Sequence, residues 1–265
     1  MIVDIKGKKI LVTASTSGIG KGVAKSLAME GAYIFVSSRN LDRVIETVKE
    51  LKNFNENVWG DTVDLTNMAS IDKLVNTALS QMGGIDILVV NSGNPPSEPS
   101  TFFENDINEW EYSIHLYLLS SIKLVKLITP YMIKRGWGRI FFLSSYTVKE
   151  PHDIFVLADV SRAPLLQLTK LLSRELGRHG ITVNTILMGS FETTGAVENL
   201  RKYSTKIGRP FSEVWKEMVV DPIPVGKLGK PEKHIGKLIT YLSSEYGDYI
   251  TGTYIVVDGG VSRAI

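Results

Sequence analysis

The chain predicts an α/β fold, a single doubly wound parallel sheet of about seven strands with helices on both faces. Three observations carry that expectation. Short apolar runs alternate with longer segments of helical periodicity, the pattern of strand-helix units repeated around a parallel sheet. Several of those runs are apolar without polar alternation, as strands covered on both faces are. The composition is that of an ordinary globular protein, 265 residues with 43% hydrophobic and 22% charged side chains, enough for one large domain or two small ones.

In chain order, residues 9–13 form the first strand, and a serine- and glycine-rich turn leads from it into a helix over 21–29. A strand at 33–37 and a helix at 41–51 follow, then a strand at 58–63 and a helix at 71–82. The fourth strand, 85–91, precedes a long helix over 107–135, and the fifth, 139–143, precedes a helix over 165–179. A sixth strand at 182–187, a helix at 232–243 and a seventh strand at 254–257 complete the pattern. Residues 190–230 break it with Gly195, Gly208, Pro210, Pro222 and Pro224 around a short amphipathic piece. In a compact domain such an insertion is usually a lid or binding loop. No repeat, low-complexity stretch or linker divides residues 1–265, so one domain with a substrate flap at about 190–230 is expected. Phe191, Tyr203, Phe211 and Trp215 are either pocket walls or anchors of that flap.

The net charge of +2, with acids and bases interspersed, argues against nucleic acid or a membrane surface as partner. Without cysteine there are no disulfides, thiol nucleophiles or cysteine-ligated metals. The start, Met1-Ile2-Val3-Asp4-Ile5-Lys6, lacks the basic and apolar regions of a leader, and no apolar run reads as long enough to span a bilayer. A soluble cytoplasmic protein without a metal site is the expectation.

The first strand runs into Thr13-Ala14-Ser15-Thr16-Ser17-Gly18-Ile19-Gly20 and then a helix. Glycines at such a turn let the backbone approach a pyrophosphate, and the helix N-terminus offers unpaired N–H groups and a positive dipole end. The second strand ends in Ser37-Ser38-Arg39-Asn40, where NAD-binding turns carry an acid for the ribose hydroxyls. An arginine there pairs instead with the 2′-phosphate of NADP, or is a solvated residue opening a helix. Asp64-Leu65 follows the third strand, and its carboxylate either accepts from the adenine amino group or serves the next helix. Asn91-Ser92-Gly93 is a polar turn at a strand's carboxyl end, where ligands of open sheets bind.

These motifs together resemble the short-chain dehydrogenase/reductase family over nearly the whole chain. Ala14 stands for the first glycine of T-G-x-x-x-G-x-G, and Val90-Asn91-Ser92-Gly93 matches N-N-A-G with two substitutions. Val183-Asn184, Gly189 and Thr193 resemble the segment that contacts the nicotinamide carboxamide, with Met188 where proline is usual. Gly226 to Glu232, Tyr249 to Thr253 and Val257-Asp258-Gly259-Gly260 match the family's closing segments. The resemblance implies a Rossmann-type fold, NADP (NADPH) as cofactor, a small carbonyl or alcohol substrate, and a homotetramer or homodimer. One interface would use the helices 107–135 and 165–179, with Ile114, Leu118, Ser121, Ile122 and Val125 as an apolar stripe that equally suits a core.

The family's four catalytic side chains are Asn, Ser, Tyr and Lys, and only the serine, Ser145, is present. The tyrosine position holds Ala158, the lysine position Arg162, and the asparagine position, counted from Trp110, Tyr117. The implied mechanism needs a phenol to protonate the carbonyl oxygen as hydride arrives, and alanine has none. Tyr117, Tyr146 and His152 are the substitute donors considered, Tyr117 first, each with packing or surface exposure as its alternative. Arg162 either reaches the ribose or pairs with Asp159 or Asp153, and Pro164 delays or kinks its helix. The functional expectation is an NADP-dependent oxidoreductase with a non-standard proton donor. The alternatives are a nucleotide-binding sensor or scaffold without hydride transfer, and a dehydration or isomerisation on the same fold.

Overall fold

The computed structural model describes residues 4–264. Met1, Ile2 and Val3, on which the reading of the amino terminus partly rests, and Ile265 lie outside them. Seven strands form one all-parallel sheet in the order β3-β2-β1-β4-β5-β6-β7. They are β1 (Lys9–Val12), β2 (Tyr33–Ser38), β3 (Val58–Thr62), β4 (Ile87–Val90), β5 (Gly138–Ser145), β6 (Ile181–Met188) and β7 (Tyr254–Val257). β5 and β6 extend past the expected 139–143 and 182–187, each with unbroken pairing over eight residues. The chain order reverses between β1 and β4, and such a switch point opens a crevice at the carboxyl ends of the strands.

The helices are α1 (Gly18–Met29), α2 (Leu41–Lys52), α3 (Met68–Met82), α4 (Ile107–Ile114), α5 (Ser120–Arg135), α6 (Val156–Arg162), α7 (Pro164–Leu176), α8 (Thr194–Lys206), α9 (Phe211–Trp215) and α10 (Lys237–Ser243). One face of the sheet packs on α3, α5 and α7 through Leu74, Leu124, Ile128, Phe142 and Leu165; the other packs on α1 and α10 through Val23, Leu27, Phe141 and Ile239. Gly22 lets α1 approach Pro231, since a Cβ there would lie 2.5 Å from the proline ring.

One expectation needs correction, and the structure adds detail to two points that the sequence left open. The run Ile107–Arg135 is long and apolar enough to cross a membrane by length and composition, contrary to the sequence reading, although half of that stretch is buried inside the protein. It also has a π-helical segment, His115–Leu119, between α4 and α5. The proposed interface stripe is split: Ser121 and Val125 are buried in the core, Leu118 and Ile122 are half-buried, and Ile114 is exposed. The flap contains two helices, α8 and α9. Tyr203, Phe211 and Trp215 form its own small core with Leu200, Val214 and Val219, so of the four aromatic candidates they are anchors.

Candidate active site

A cavity of about 610 Å³ opens at the switch point. Its floor at one end is the turn before α1. Ser17 precedes the helix without capping it by its side chain, and no acid stands in the first turn, so the first amides of α1 and their positive dipole end face the cavity unclaimed. Ala14 holds φ +46°, the one non-glycine residue among those described with a left-handed backbone. Asn91 fixes that turn: its Nδ2 donates to the Ala14 carbonyl at 2.9 Å, and its own amide donates to Thr13 Oγ1 at 2.9 Å. A Cβ on Gly20 would stand 2.4 Å from the Ala14 oxygen and 2.7 Å from Asn91 Nδ2. These residues fit a pyrophosphate, because Gly18 and Gly20 carry no side chain and the first amides of α1 are unspent.

The expected nucleotide contacts divide into two groups. Thr16, Ser17, Gly18, Ile19, Ser38, Arg39, Asp64, Leu65, Asn91, Ser92, Gly93, Gly189 and Thr193 all line the cavity. Thr13, Ser15 and Gly20 do not. They shape the turn from behind, with Ser15 Oγ buried between the Val12 carbonyl and the Ser37 amide. Arg39 donates to Tyr112 Oη at 3.3 Å across the cavity from α4. Arg43, which sequence reading passed over, also lines it, from the first turn of α2, whose amide at Arg43 is capped by Asn40. Asp64 accepts from the amide and hydroxyl of Thr66 at 2.9 and 2.7 Å, the loop geometry of a helix entry.

At the other end stand Ser145, Tyr146, Thr147, His152, Ala158, Asp159 and Arg162. Asp159 is fully buried and collects three donors: Arg162 at 3.0 Å, the His152 amide at 3.0 Å and the Thr147 hydroxyl. Because the single Thr147 proton goes to that carboxylate, the 2.8 Å contact between the Ser145 and Thr147 hydroxyls has Ser145 donating. Donation to any other oxygen therefore requires the Ser145 hydroxyl to turn away from Thr147. The choice left open for Arg162 falls to Asp159; its Nε also donates to the Ala158 carbonyl at 3.0 Å, and its guanidinium lies 5.2 Å above the Tyr117 ring. Pro164 begins α7 after Ala163, which keeps helical angles, so it breaks the hydrogen-bond ladder after Arg162 without delaying the helix that carries it.

Tyr117, the favoured donor in the sequence, does not line the cavity. It is buried in the π-helical segment, and its hydroxyl donates to the Gly93 carbonyl at 2.9 Å. Burial pushes its phenol above the ordinary range, which makes it a poorer acid. Tyr146 is half-buried at the wall and is likewise raised by burial. His152 is not the exposed loop residue expected: it lines the cavity, and its Nδ1 is buried without a partner. From the flap, Phe191, Ala196, Asn199, Leu200, Met218 and Val219 close the cavity, so Phe191 is the aromatic candidate that proves to be wall.

Sequence reading missed one further group. Glu98, from the loop after β4, is 2% exposed and lines the same cavity; its Oε1 accepts the Ala158 amide at 2.8 Å. No spacing rule links residues 98 and 158, and the contact exists because the Ser100 amide donates to the Ile154 carbonyl at 2.9 Å in an isolated parallel bridge.

Comparison with known proteins agrees with this geometry. The family model described as short chain dehydrogenase matches residues 8–204. The curated dehydrogenase/reductase SDR family member 4 of Sus scrofa is 33% identical over 98% of this chain and 89% of its own length. Its Caenorhabditis elegans counterpart is 31% identical over 98% and 97%. Among solved structures, L-sorbose reductase from Gluconobacter frateurii complexed with NADPH and L-sorbose is 28% identical and covers both chains completely, with a TM-score of 0.92. An actinorhodin polyketide ketoreductase variant with NADPH is 28% identical over 97% of this chain and 98% of its own, with a TM-score of 0.90. From the glycine turn at the switch point to the serine of β5, and by descent as well as by shape, the chain belongs to the short-chain dehydrogenase/reductase family of oxidoreductases.

Proposed function

We propose that this protein is an NADP-dependent oxidoreductase that interconverts a small carbonyl compound and its alcohol. The observation that carries the reading is a single cavity that holds the open end of α1, Arg39 and Arg43 at one side and Ser145 at the other. That spacing of parts suits a dinucleotide whose phosphates meet α1 and whose reactive ring lies near Ser145. When bound, NADPH supplies hydride to the carbonyl carbon. The α1 amides hold the pyrophosphate, and Arg39 with Arg43 places two cations where a 2′-phosphate would lie, in a turn that offers no acid to the ribose. Ser145 holds the substrate oxygen once its hydroxyl turns from Thr147, and the flap residues Phe191 and Leu200 exclude water from the reacting carbon. A homodimer or homotetramer is part of the same proposal, and light scattering on the purified protein tests it.

The test is loss of NADPH absorbance in the presence of ketoses, aldehydes, cyclic ketones and 3-oxoacyl thioesters. Saturable turnover with at least one class supports the reading, and no turnover with any of them contradicts it. A second reading, nucleotide binding without hydride transfer, draws on one observation: Arg162 is spent on Asp159, Ala158 and the Tyr117 ring rather than left to face a ribose. Tight NADPH binding with no turnover in the same assay is its signature.

A further inference from the structure

Ala158 stands where the family resemblance implies a phenol, and two polar side chains touch its backbone: Arg162 at the carbonyl and, at the amide, a carboxyl from 60 residues earlier in the chain. Glu98 Oε1 accepts the Ala158 amide at 2.8 Å, and the amide of Leu157 faces the same group. The carboxyl takes no hydrogen bond from another side chain among the described residues. Glu98 has no salt bridge either, since the cation nearest to it, Arg162, is paired with Asp159. A buried carboxyl in that position resists ionisation: burial raises it from its ordinary 4.5 to about 7, against the opposing pull of the two amides and of Arg162. An acid matched to neutral pH at the end of a reaction cavity is the property that general acid-base catalysis requires.

A purely structural role is also visible. Phe155 precedes α6 without a capping side chain, and Glu98 supplies the acceptor that the first turn lacks. Capping, however, calls for an oxygen and not for a proton. A glutamine would serve it as well, and an ionised carboxylate would serve it better.

We propose that Glu98 is the proton-exchanging residue of this site and does the work of the absent phenol through one water in the space that Ala158 leaves. The proposal rests on the carbonyl-reducing reading of the cavity. In reduction, hydride brings two electrons to the carbonyl carbon and forms the C–H bond. The carbonyl π pair moves to oxygen and takes a proton from the water, which takes one from Glu98, and solvent then reprotonates the carboxylate. Oxidation of the alcohol runs the same path backwards, with Glu98 ionised at the start. The charged and titratable groups that act on Glu98 are Asp159 and Arg162 from α6 and Tyr117 from the π-helical segment, while Tyr112 from α4 and His152 and Tyr146 from the segment after β5 line the same cavity. Asp159 opposes ionisation of Glu98 and Arg162 favours it.

The experiment compares wild type, Glu98→Gln and Glu98→Asp in NADPH oxidation with L-sorbose, a cyclic ketone and a 3-oxoacyl thioester from pH 5.5 to 9. NADPH affinity and the near-ultraviolet dichroism of each protein are measured alongside. The proposal expects Glu98→Gln to keep its fold and NADPH affinity while kcat falls about 100-fold or more. Wild-type reduction should fall as pH rises through about 7, and that limb should move in Glu98→Asp. Glu98→Gln with wild-type kcat and an unchanged limb overturns the proposal while leaving the carbonyl-reducing reading intact. Wild type inert toward every probe overturns that reading, and the proposal with it. If Glu98→Gln does not fold, the infrared band of a protonated carboxyl decides: it should be present in wild type at pH 6 and displaced in Glu98→Asp. Its absence from wild type at pH 6 overturns the proposal.

Discussion

In the proposed function Arg39 is the side chain that selects NADPH over NADH, because it stands at the end of β2 where an acid would turn the 2′-phosphate away. Arg39→Asp exchanges a charge-assisted hydrogen bond for repulsion and should weaken NADPH binding by about 2–4 kcal/mol while changing NADH binding little. Fluorescence titration of both nucleotides against both proteins measures this, and equal losses would remove Arg39 from the assignment. Glu98 links folding to pH. Its folded pKa of about 7 lies above the ordinary 4.5, so between those values the native state holds a proton that the unfolded chain has released. Its contribution is complete below about pH 4.5 and is lost as pH rises through about 7, a difference of about 3 kcal/mol. Denaturant titrations from pH 4.5 to 8 should show wild type losing that much relative to Glu98→Gln, and parallel curves would mean that the carboxyl ionises normally. At this scale the sequence was legible where function depends on neighbours in the chain. The glycine turn, Arg39 and Ser145 all stand in local motifs and all line the cavity. Glu98 was not legible, since its environment is made by a loop 60 residues from the helix it touches. Tyr117 was misread because its spacing matched a catalytic position while its hydroxyl is held by Gly93.

Between β1 and α1, the chain stores strain in one residue. Ala14 stands in the left-handed region at φ +46°, held there by Asn91 on its carbonyl and by the need to bring the backbone round to the open end of α1. Ala14→Gly should relieve that strain and raise stability by about 0.5–1 kcal/mol, the net of a lower backbone cost and a more flexible unfolded chain. Thermal unfolding with and without NADPH would show it, and a lower midpoint would mean that the Ala14 methyl contributes contacts worth more than the strain. Strand positions were legible because apolar runs without alternation mark a doubly covered sheet. Their ends were not, because the pairing of β5 with β6 carries β5 past its apolar residues to Ser145 and β6 on to Met188. Of the two helices in residues 190–230 only a short amphipathic piece near α9 was legible, because Gly208 and Pro210 separate α8 from α9 and the aromatic cluster that joins them forms only in three dimensions.

In the whole molecule, the reversal of strand order between β1 and β4 is what brings distant motifs to one cavity. The glycine turn follows β1, Arg39 follows β2, Asp64 follows β3 and Ser145 ends β5, and the parallel sheet puts all four at the same edge. This arrangement follows from alternation of strands and helices and was readable from the sequence. By the motifs read from the sequence, the catalytic end departs from the family pattern at Ala158, Arg162 and Tyr117, while the nucleotide end departs mainly at Ala14 and Ser92. On the proposed reading, in which the cofactor cradle is kept and the acid exchanged, the protein should bind the cofactor tightly. The most direct test of that claim is a titration of the purified wild-type protein with NADPH and with NADH, followed by nicotinamide fluorescence. Saturable binding with NADPH preferred by about 30-fold or more is the expected result, from the energy assigned to Arg39. Failure of both nucleotides to bind would contradict the account at its base, since the amides of α1, the two arginines and Ser145 would then line a cavity with no cofactor to hold.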